Sequence, residues 1–410
     1  MTDLATVRQL DAADPLTAFR AQFVLPAGQI YLDGNSLGAL PRATAARIAD
    51  TVTREWGQGL IGSWNAAGWI GAPQRIGAKI ARLIGAAPTE VIAADSTSVN
   101  LFKLLAAACA AQPDRRVIVT EQGNFPTDLY VAQGVAAYLP GVEVRAVPRA
   151  DIAAAIDADV AVVMLTHVHY KTGAMYDMPA VTRMAQAQGA LMLWDLSHSA
   201  GAVALDLAAA NADLAVGCGY KYLNGGPGAP AFLFVAERHQ ASLRSPLTGW
   251  MGHAAPFDFD DAYEAAPGMD RFLCGTPPIL GMAALEIGID LLLEADRTAL
   301  FAKSRALCSL FVDLVEERCA GLGLTLASPR DPQARGSHIS LAHRDAYPVM
   351  QALIAHGVTG DFRAPDILRF GFTPLYVGYE DVWRAVEILR DVLTSKSWDS
   401  DTYRRRAAVT

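Results

Sequence analysis

The feature of the sequence that most constrains its fold is a series of short apolar segments between residues 90 and 235. Helical patterns such as Val99 to Ala111 and Met178 to Gly189 separate most of these segments. A continuous apolar run is typical of a strand buried on both faces, and strands alternating with helices predict a mostly parallel sheet. The segments predicted as strands are Glu90–Ala93, Arg116–Thr120, Val160–Leu165, Ala190–Trp194, Leu214–Cys218 and Ala229–Val235. We therefore predict an α/β fold with helices on both faces of the sheet.

The length of 410 residues, 52% of them hydrophobic, suits a large domain and a smaller one. We predict a large domain over 41–295 and a small C-terminal α+β domain over 296–410, to which an N-terminal segment, 1–40, contributes. Two long helices, Ile279–Ala295 and Arg297–Ala320, meet at the boundary. The remaining predicted elements of the small domain are strands at 336–343, 358–363 and 366–371 and helices at 346–356 and 379–394.

Three segments have weaker patterns. The first 30 residues predict a short helix, Pro15–Phe23, and a connector, and the polar tail 396–410 predicts a frayed terminus. Residues 60–71 predict an irregular loop containing Trp64 and Trp69. Two tryptophans among glycines usually serve packing, and the alternative is that one lines a pocket for a flat ligand.

Composition excludes several classes of protein. A net charge of −8 argues against nucleic acid or an anionic membrane as the main partner. The sequence lacks an 18-residue apolar run, and its first residues have no apolar core, so we expect neither a membrane span nor a secretory signal. The five cysteines include no C-x-x-C pair, which favours reduced thiols in a cytoplasmic protein over disulfides or a metal site.

Polar side chains follow the predicted strands at their carboxyl ends. Thr166, Asp195 and the pair Tyr220-Lys221 each come at the end of an apolar run, and the loops 95–98 and 122–128 follow two more. Ligands of parallel α/β sheets bind outside the carboxyl ends of the strands. These residues therefore predict a ligand site at one edge of the sheet.

Lys221 has the best setting for covalent chemistry among the six lysines of the chain. It follows a buried strand and precedes a glycine-rich turn, Asn224 to Gly228. Burying an ammonium is costly, and the cost falls if the amine is neutral or forms a Schiff base. The natural electrophile is the aldehyde of pyridoxal 5'-phosphate (PLP), which also needs an acid at its ring nitrogen and a phosphate cradle. The alternative is a lysine that extends from a loop into water.

Two other features fit such a cofactor, each with a simpler explanation. Asp195 within an apolar run needs a cationic partner, which a protonated pyridine nitrogen would provide, although it could instead cap a helix. Thr97 and Ser98 begin a predicted helix, where hydroxyls and free N–H groups can bind a phosphate. Capping of that helix is the alternative for both hydroxyls.

Taken together, these residues resemble the fold type I PLP enzymes, in the branch related to class V aminotransferases, and more closely the kynureninase family. Members of that family hydrolyse L-kynurenine to anthranilate and L-alanine, in tryptophan breakdown or NAD synthesis. The matching segments are YLDGNSLG (31–38), DSTSVNLF (95–102), NFPTDLY (124–130), HVHYKTG (167–173), DLSHSAG (195–201), GCGYKYLNGGPG (217–228), GWMGH (249–253), GTPPIL (275–280) and ILRFGFTPLY (367–376).

The resemblance implies PLP as cofactor and assigns the residues that bind it. Lys221 forms the Schiff base, Asp195 pairs with the ring nitrogen, and His198 lies near the 3-oxygen of the ring. Phe125 stacks on the face of the ring. The resemblance adds, as further cofactor-binding residues, Thr97, Ser98, Pro126, Thr127, Asp128, Thr166, Tyr220, Trp250 and Thr276, with Tyr220 at the phosphate.

The resemblance also implies a homodimer with L-kynurenine bound at the subunit interface, where Trp250 and Thr276 reach a phosphate or substrate across the interface. Arg369 becomes the clamp for the substrate carboxylate, because a planar guanidinium binds carboxylate through two parallel hydrogen bonds. Without the resemblance, Arg369 would be expected to form an ion pair on a strand surface. The implied substrate residues are Arg369, Asn35, Trp64 and Thr276.

In the implied reaction, Lys221 moves the α-proton of the substrate and Tyr220 is the candidate acid that protonates the β-carbon. That role would need a lowered pKa of the Tyr220 phenol. Relatives that prefer 3-hydroxykynurenine carry His and Asn where this chain has Trp64 and Thr276. An indole cannot accept a hydrogen bond from a ring hydroxyl, whose burial would cost about 1–3 kcal/mol. We therefore expect a preference for unsubstituted kynurenine.

Two other functions compete with this one. A cysteine desulfurase or a class V aminotransferase would share the fold, but a desulfurase needs a mobile, electropositive cysteine, and the loop cysteine Cys274 lies in a proline-rich turn. A non-enzymatic α/β ligand-binding protein would form no Schiff base. A nicotinamide enzyme is disfavoured because the first strands lack a G-x-G-x-x-G fingerprint.

Overall fold

The computed structural model describes residues 2–406, and residues 1 and 407–410 lie outside the described part. Its strands are β1 (Phe23–Val24), β2 (Ile30–Tyr31), β3 (Leu40–Pro41), β4 (Val91–Ala93), β5 (Val117–Glu121), β6 (Glu143–Val147), β7 (Val160–Thr166), β8 (Leu191–Asp195), β9 (Leu214–Gly217), β10 (Phe232–Val235), β11 (Thr325–Leu326), β12 (His338–Ala342), β13 (Val358–Thr359), β14 (Asp361–Arg363) and β15 (Ile367–Gly371). Its α-helices are α1 (Leu4–Ala13), α2 (Arg42–Asp50), α3 (Ser63–Ala66), α4 (Ala72–Ile84), α5 (Thr97–Ala111), α6 (Pro126–Tyr138), α7 (Ile152–Ala155), α8 (Met178–Ala187), α9 (Glu237–Gln240), α10 (Ile279–Glu294), α11 (Arg297–Arg318), α12 (Ala346–Ala355), α13 (Tyr379–Ser395) and α14 (Asp401–Arg404).

The predicted α/β fold with a mostly parallel sheet is confirmed. Seven strands form the central sheet in the order β4-β10-β9-β8-β7-β5-β6. Neighbours from β6 to β9 are parallel, and β10 alone runs antiparallel to both its neighbours, β9 and β4. Every residue of β7 and β9 is buried, which is why these strands read as continuous apolar runs.

The structure corrects several details. The sequence analysis missed β6, whose burial is only partial, and α1, whose stability comes from packing against α13. The loop predicted over 60–71 is partly helical, with a 3-10 turn at Leu60–Gly62 followed by α3. The tail predicted as frayed includes α14, and its last four residues lie outside the described part.

The smaller sheet has the order β11-β12-β15-β14 and is antiparallel. The strand predicted over 358–363 is divided at Gly360, because β13 pairs with β2 of the N-terminal segment and β14 pairs with β15. A buried ion pair, Lys303 Nζ to Asp14 Oδ2 at 2.6 Å, also joins the N-terminal segment to helix α11. These contacts support a small domain that includes the N-terminal segment, although the boundaries at 40 and 295 stay a prediction. No helix within residues 2–406 is long and apolar enough to cross a membrane.

Replacing Lys303 by Met tests how much the buried ion pair stabilises the fold. The side chains of Lys303 and Asp14 are 6% and 4% exposed, so the substitution leaves a buried carboxylate without its cation. We expect Lys303→Met to lower the free energy of unfolding by about 3–5 kcal/mol, measured in urea. The control is Arg330→Met, whose pair with Asp313 is half exposed and is worth at most about 1 kcal/mol. Equal losses in the two variants would contradict this expectation.

Candidate active site

The carboxyl ends of the parallel strands meet at one edge of the central sheet. The segments that follow β4 and β5 reach the same edge, because a parallel sheet directs all its strands to one side. A cleft at this edge is lined by ten residues that the sequence analysis singled out, which are Thr97, Ser98, Phe125, Thr127, Asp128, Thr166, Asp195, His198, Tyr220 and Lys221. Tyr170 and Ser197 complete the lining.

Lys221 lies in a tight turn directly after β9. Only glycine fits at Gly219, because a Cβ there would lie 2.2 Å from the carbonyl oxygen of Pro230. The side chain of Lys221 is 9% exposed, and its Nζ lies 5.8 Å from the centroids of the Phe125 and Tyr220 rings. The glycine turn therefore holds a lysine amine inside the cleft between two aromatic rings.

His198 is the nearest polar partner of this amine, with its Nε2 3.0 Å from Lys221 Nζ. Burial and the adjacent ammonium hold the pKa of His198 well below its ordinary value, so the ring is neutral. Nε2 then accepts a hydrogen bond from Lys221, and the ring proton sits on Nδ1. That Nδ1 is buried and has no partner within the described residues.

Two buried carboxyl groups share the floor of the cleft. Burial raises the pKa of Asp195, although the backbone N–H of Ser197 donates to it at 2.7 Å. Burial, and then the neighbouring Asp195 charge, raise the pKa of Asp128 well above its ordinary value. The charge of Lys221 acts to lower the pKa of both carboxyls. If both were ionised, two carboxylates would face one ammonium, and a further cation in the cleft would favour the ionised forms.

Thr166 and Asn124 hold Asp128 in place. Thr166 Oγ1 lies 3.0 Å from Asp128 Oδ2 and 2.6 Å from Asn124 Oδ1. The amide nitrogen of Asn124 donates to the same carboxylate oxygen at 3.1 Å. This network fixes the carboxyl beside Asp195 instead of allowing it to turn towards water.

These residues fit PLP. The excess of negative charge at Asp128 and Asp195 suits a protonated pyridine nitrogen, and the neutral Nδ1–H of His198 is a donor without an acceptor. Thr97 Oγ1, at the start of α5, is also buried without a partner, where an anionic phosphate would accept from it. The lysine, the acid and the phosphate cradle that this cofactor requires are all present.

Tyr220 differs from the expectation for a general acid. The sequence analysis required a lowered pKa, but burial and then the neighbouring Cys218 and Asp195 raise the pKa of this phenol. Tyr220 therefore stays protonated across the physiological range. A phenol of this kind can still donate to a strongly basic carbon, although it is a weaker acid than the sequence analysis expected.

Six of the predicted site residues do not line the cleft of the single chain, and five of them are Thr276, Pro126, Trp250, Trp64 and Asn35. Thr276 and Pro126 are exposed, and Trp250 is 40% exposed with its ring 5.8 Å from Phe257. Trp64 packs edge-on against Trp69, with their ring centroids 6.0 Å apart, as the packing alternative predicted. Asn35 is fully buried, and neither Oδ1 nor Nδ2 of its side chain has a partner within the described residues.

Arg369 also lies outside the lining and already holds a carboxylate. It is 1% exposed and pairs with Asp361 through two of its nitrogens, one of them Nε at 2.8 Å. Its Nη1 donates to the carbonyl oxygen of Tyr170 at 2.6 Å, and the Tyr170 ring lies 5.2 Å from Phe125 at the cleft. The ion pair that the sequence analysis expected on a surface is therefore internal and next to the cleft.

Sequence reasoning missed several residues around the site. Asn124 and Tyr170 fall within segments that match the family, so their position next to predicted site residues could have identified them. Asp361 and Arg363 alternate on a short strand, a pattern that is typical of a solvated edge. His338, whose ring lies 5.3 Å from that of His198, follows no pattern that distinguishes it from a core histidine.

Solved structures with the same fold are PLP enzymes or their relatives. The apo cysteine desulfurase of Thermococcus onnurineus NA1 superposes with a TM-score of 0.78 at 18% identity, over 92% of this chain and 98% of that one. A mutant of C-DES with glycine covalently linked to its PLP cofactor gives a TM-score of 0.78 at 16% identity, over 91% and 99%. Such likenesses establish the fold. The fold and the site together define the chain as a fold type I PLP-dependent enzyme.

The sequence comparisons identify the family. The DegT/DnrJ/EryC1/StrS aminotransferase family model matches residues 72–216, and the kynureninase C-terminal domain model matches residues 300–389. Kynureninases of Burkholderia mallei (strain SAVP1) and Pseudomonas fluorescens are 56% and 52% identical to this chain over 98% of both lengths. The chain belongs to the kynureninase family.

Replacing Thr166 by Val tests the network that holds Asp128. The variant removes a donor from a buried carboxylate, so we expect it to lower the free energy of unfolding by about 1–3 kcal/mol. The matched control is Thr120→Val on the neighbouring strand β5, since Thr120 is fully buried and its hydroxyl has no partner within the described residues. That substitution should be neutral or stabilising. Urea unfolding of both variants with saturating PLP gives the comparison, and a similar loss in both would refute the role given to Thr166.

Proposed function

We propose that this protein hydrolyses the Cβ–Cγ bond of L-kynurenine to give anthranilate and L-alanine. The observation that carries the proposal is the buried amine of Lys221, held beside a neutral His198 and two buried carboxyls. The 56% identity to a kynureninase over nearly the whole chain supports the substrate. Bound PLP would supply an electron sink for the pair that remains on the α-carbon of the substrate when its proton leaves.

Lys221 is the group that moves this proton. Its Nζ donates to His198 Nε2 at 3.0 Å. Because the imidazole of His198 is neutral, the amine can lose and regain a proton without a second cation next to it. Phe125 covers one side of the amine with an apolar ring and limits access of water. Asp195 would pair with the ring nitrogen of PLP, where its carboxylate would favour the protonated, cationic ring.

Water must add to the γ-carbonyl of the substrate before the Cβ–Cγ bond breaks. The electron pair that remains on Cβ then takes a proton, and Tyr220 is the candidate donor. Its phenol lies at the cleft 5.8 Å from Lys221 Nζ and stays protonated because its pKa is raised. A carbanion is basic enough to accept a proton from such a phenol.

Arg369 is the proposed partner of the substrate carboxylate, and Asn35 is the proposed second donor. The amide of Asn35 is fully buried, and its unpartnered Nδ2 is a second donor for a carboxylate oxygen. Arg369 keeps one N–H free after its bonds to Asp361, Ser36 and Tyr170. The two side chains would therefore share the carboxylate.

Two further proposals concern the oligomeric state of the protein and its location in the cell. The protein is proposed to be a cytoplasmic homodimer in which Trp250 and Thr276 reach the cleft of the other subunit. The exposed position of both residues in the single chain supports this arrangement, because neither lines its own cleft. Large apolar side chains that are also exposed include Trp56, Ile61, Phe257, Phe259 and Leu280.

Cysteine desulfuration and transamination are the disfavoured alternatives. Cys274 Sγ lies 3.7 Å from the Asp95 carboxylate, which is not the electropositive setting that a desulfurase cysteine needs. The aminotransferase-like reading accounts for the fold but not for the match to the kynureninase C-terminal domain.

Borohydride reduction of the purified enzyme tests the assignment of Lys221. We expect PLP to be trapped on the peptide that contains Lys221, and the wild type to release fluorescent anthranilate from kynurenine. Lys221→Ala should lose both the yellow absorbance and at least about 10³-fold of the rate, because Lys221 is the only lysine among the described residues that line the cleft. Lys171→Ala, at a lysine that binds the carbonyl oxygen of Ala364 instead, is the control and should keep both. Trapping on another lysine would refute the assignment, and release of sulfide or a keto acid without anthranilate would refute the reaction.

Comparison of kynurenine with 3-hydroxykynurenine tests the expected substrate preference. In the single chain Trp64 packs on Trp69, but the resemblance implies an indole near the substrate ring, where an extra hydroxyl would be buried without an acceptor at a cost of about 1–3 kcal/mol. We expect kcat/KM to be about 10- to 100-fold higher for kynurenine. Trp64→His should narrow the gap by supplying an acceptor, and equal values for the two substrates in the wild type would contradict the preference.

A further inference from the structure

A cluster of four charged side chains joins the N-terminal segment to the small sheet. Asp361 and Arg363 lie on β14, Arg369 on β15, and Asp33 on the turn after β2. The hydroxyl of Ser36 is its centre, since it donates to Asp361 at 2.6 Å and accepts from Arg369 at 2.8 Å. Arg363 pairs with the same carboxylate oxygen of Asp361 at 2.7 Å.

The two arginines and the two carboxyl groups balance each other in charge. Arg369 commits its Nε and Nη2 to Asp361 and Ser36, and Nη1 donates once to Tyr170. One N–H of the guanidinium is left for a ligand. A third carboxylate that entered this cluster would meet an electrically neutral site, and its desolvation would not be compensated.

Asp33 differs from Asp361 in how it is held. Its Oδ1 is buried without a partner in the described residues, whereas Asp361 accepts from Arg369, Arg363 and Ser36. Burial, and then the Asp361 charge, raise the pKa of Asp33 to about 7, while the arginines hold the pKa of Asp361 below its ordinary value. Of the two carboxyls, Asp33 is the one that takes a proton near neutrality.

We propose that Asp33 is a positioning residue for the substrate, which takes up one proton as the substrate carboxylate docks on Arg369. Protonation of Asp33 leaves the cluster with one excess positive charge, and the incoming carboxylate replaces the lost negative charge. The inference rests on the function proposed above for Arg369. It adds that the protonated form of the enzyme is the one that binds.

The other titratable groups around the cluster do not change charge near pH 7. The pKa values of His198 and His338, which feel the charge of Arg369, are held well below the ordinary value by burial. Burial raises the pKa values of the phenols that interact with Asp33, which are those of Tyr31, Tyr222 and Tyr376. A pH dependence of carboxylate binding near neutrality that Asp33→Asn abolishes therefore reports on Asp33.

The pH dependence of binding has a definite sign. Below about pH 6, Asp33 is already protonated and affinity for a carboxylate ligand should be constant. Above about pH 8, the proton must be taken from solution, and affinity should fall by about tenfold per pH unit. Calorimetry at pH 8 in two buffers of different ionisation enthalpy should give an uptake of about one proton for each ligand bound.

The probe is 4-(2-aminophenyl)-4-oxobutanoate, which is kynurenine without its α-amino group and therefore binds the PLP-loaded enzyme without reacting. Its methyl ester has no charge and is the matched control ligand, expected to bind independently of pH. Asp33→Asn, a neutral isostere of the protonated residue, should bind the acid with constant affinity from pH 6 to 9 and take up no proton.

The outcomes separate this inference from the function on which it rests. If the acid binds more tightly than the ester but without proton uptake, the role of Asp33 is wrong and Arg369 keeps its role. If the acid binds no better than the ester at any pH, both roles are overturned, while release of anthranilate still decides the reaction. If Asp33→Asn does not fold, the proton count and pH profile of the wild type decide the role of Asp33.

Discussion

Desolvation of charge is the constraint on which the site depends. Asp128 and Asp195 are buried together at the strand ends, and Lys221 is the ammonium that faces them. Charges removed from water cost several kcal/mol each unless they are paired. The raised pKa values of the two carboxyls indicate that the protein alone supplies too little positive charge to ionise both, and the protonated ring nitrogen of PLP would supply the missing charge. The same constraint acts at Arg369, whose neighbours balance it before any substrate arrives.

The turn after β2 connects these two charged regions. The backbone N–H of Gly38 donates to the carbonyl oxygen of Tyr220 at 2.8 Å, and a Cβ at Gly38 would lie 2.4 Å from the carbonyl oxygen of Lys221. Only two residues earlier, Ser36 binds both Arg369 and Asp361. The N-terminal segment therefore links the two regions, since one turn contacts both the backbone of the lysine loop and the arginine cluster.

The local sequence predicted most strands of the central sheet, but it did not predict the direction of every strand. Continuous apolar runs identify β7 and β9, because burial on both faces leaves no polar position. Apolar runs do not specify whether a strand is parallel or antiparallel to its neighbours, so the antiparallel direction of β10 is known only from its pairing with β4 and β9. β6 and α1 lacked a signal because partial burial and packing against a distant helix produce no strong pattern.

The amino-acid sequence was enough to predict the class of chemistry, because it contains a lysine between a buried strand and a glycine turn, an aspartate 26 residues before it, and motifs that match one family throughout. The behaviour of the ionisable groups follows instead from the tertiary structure. It placed Asp361 on Arg369, raised rather than lowered the pKa of Tyr220, and left Asp33 beside a second carboxylate. The physical reason is that a pKa depends on burial and on neighbouring charges, and those neighbours come from segments far apart in the chain.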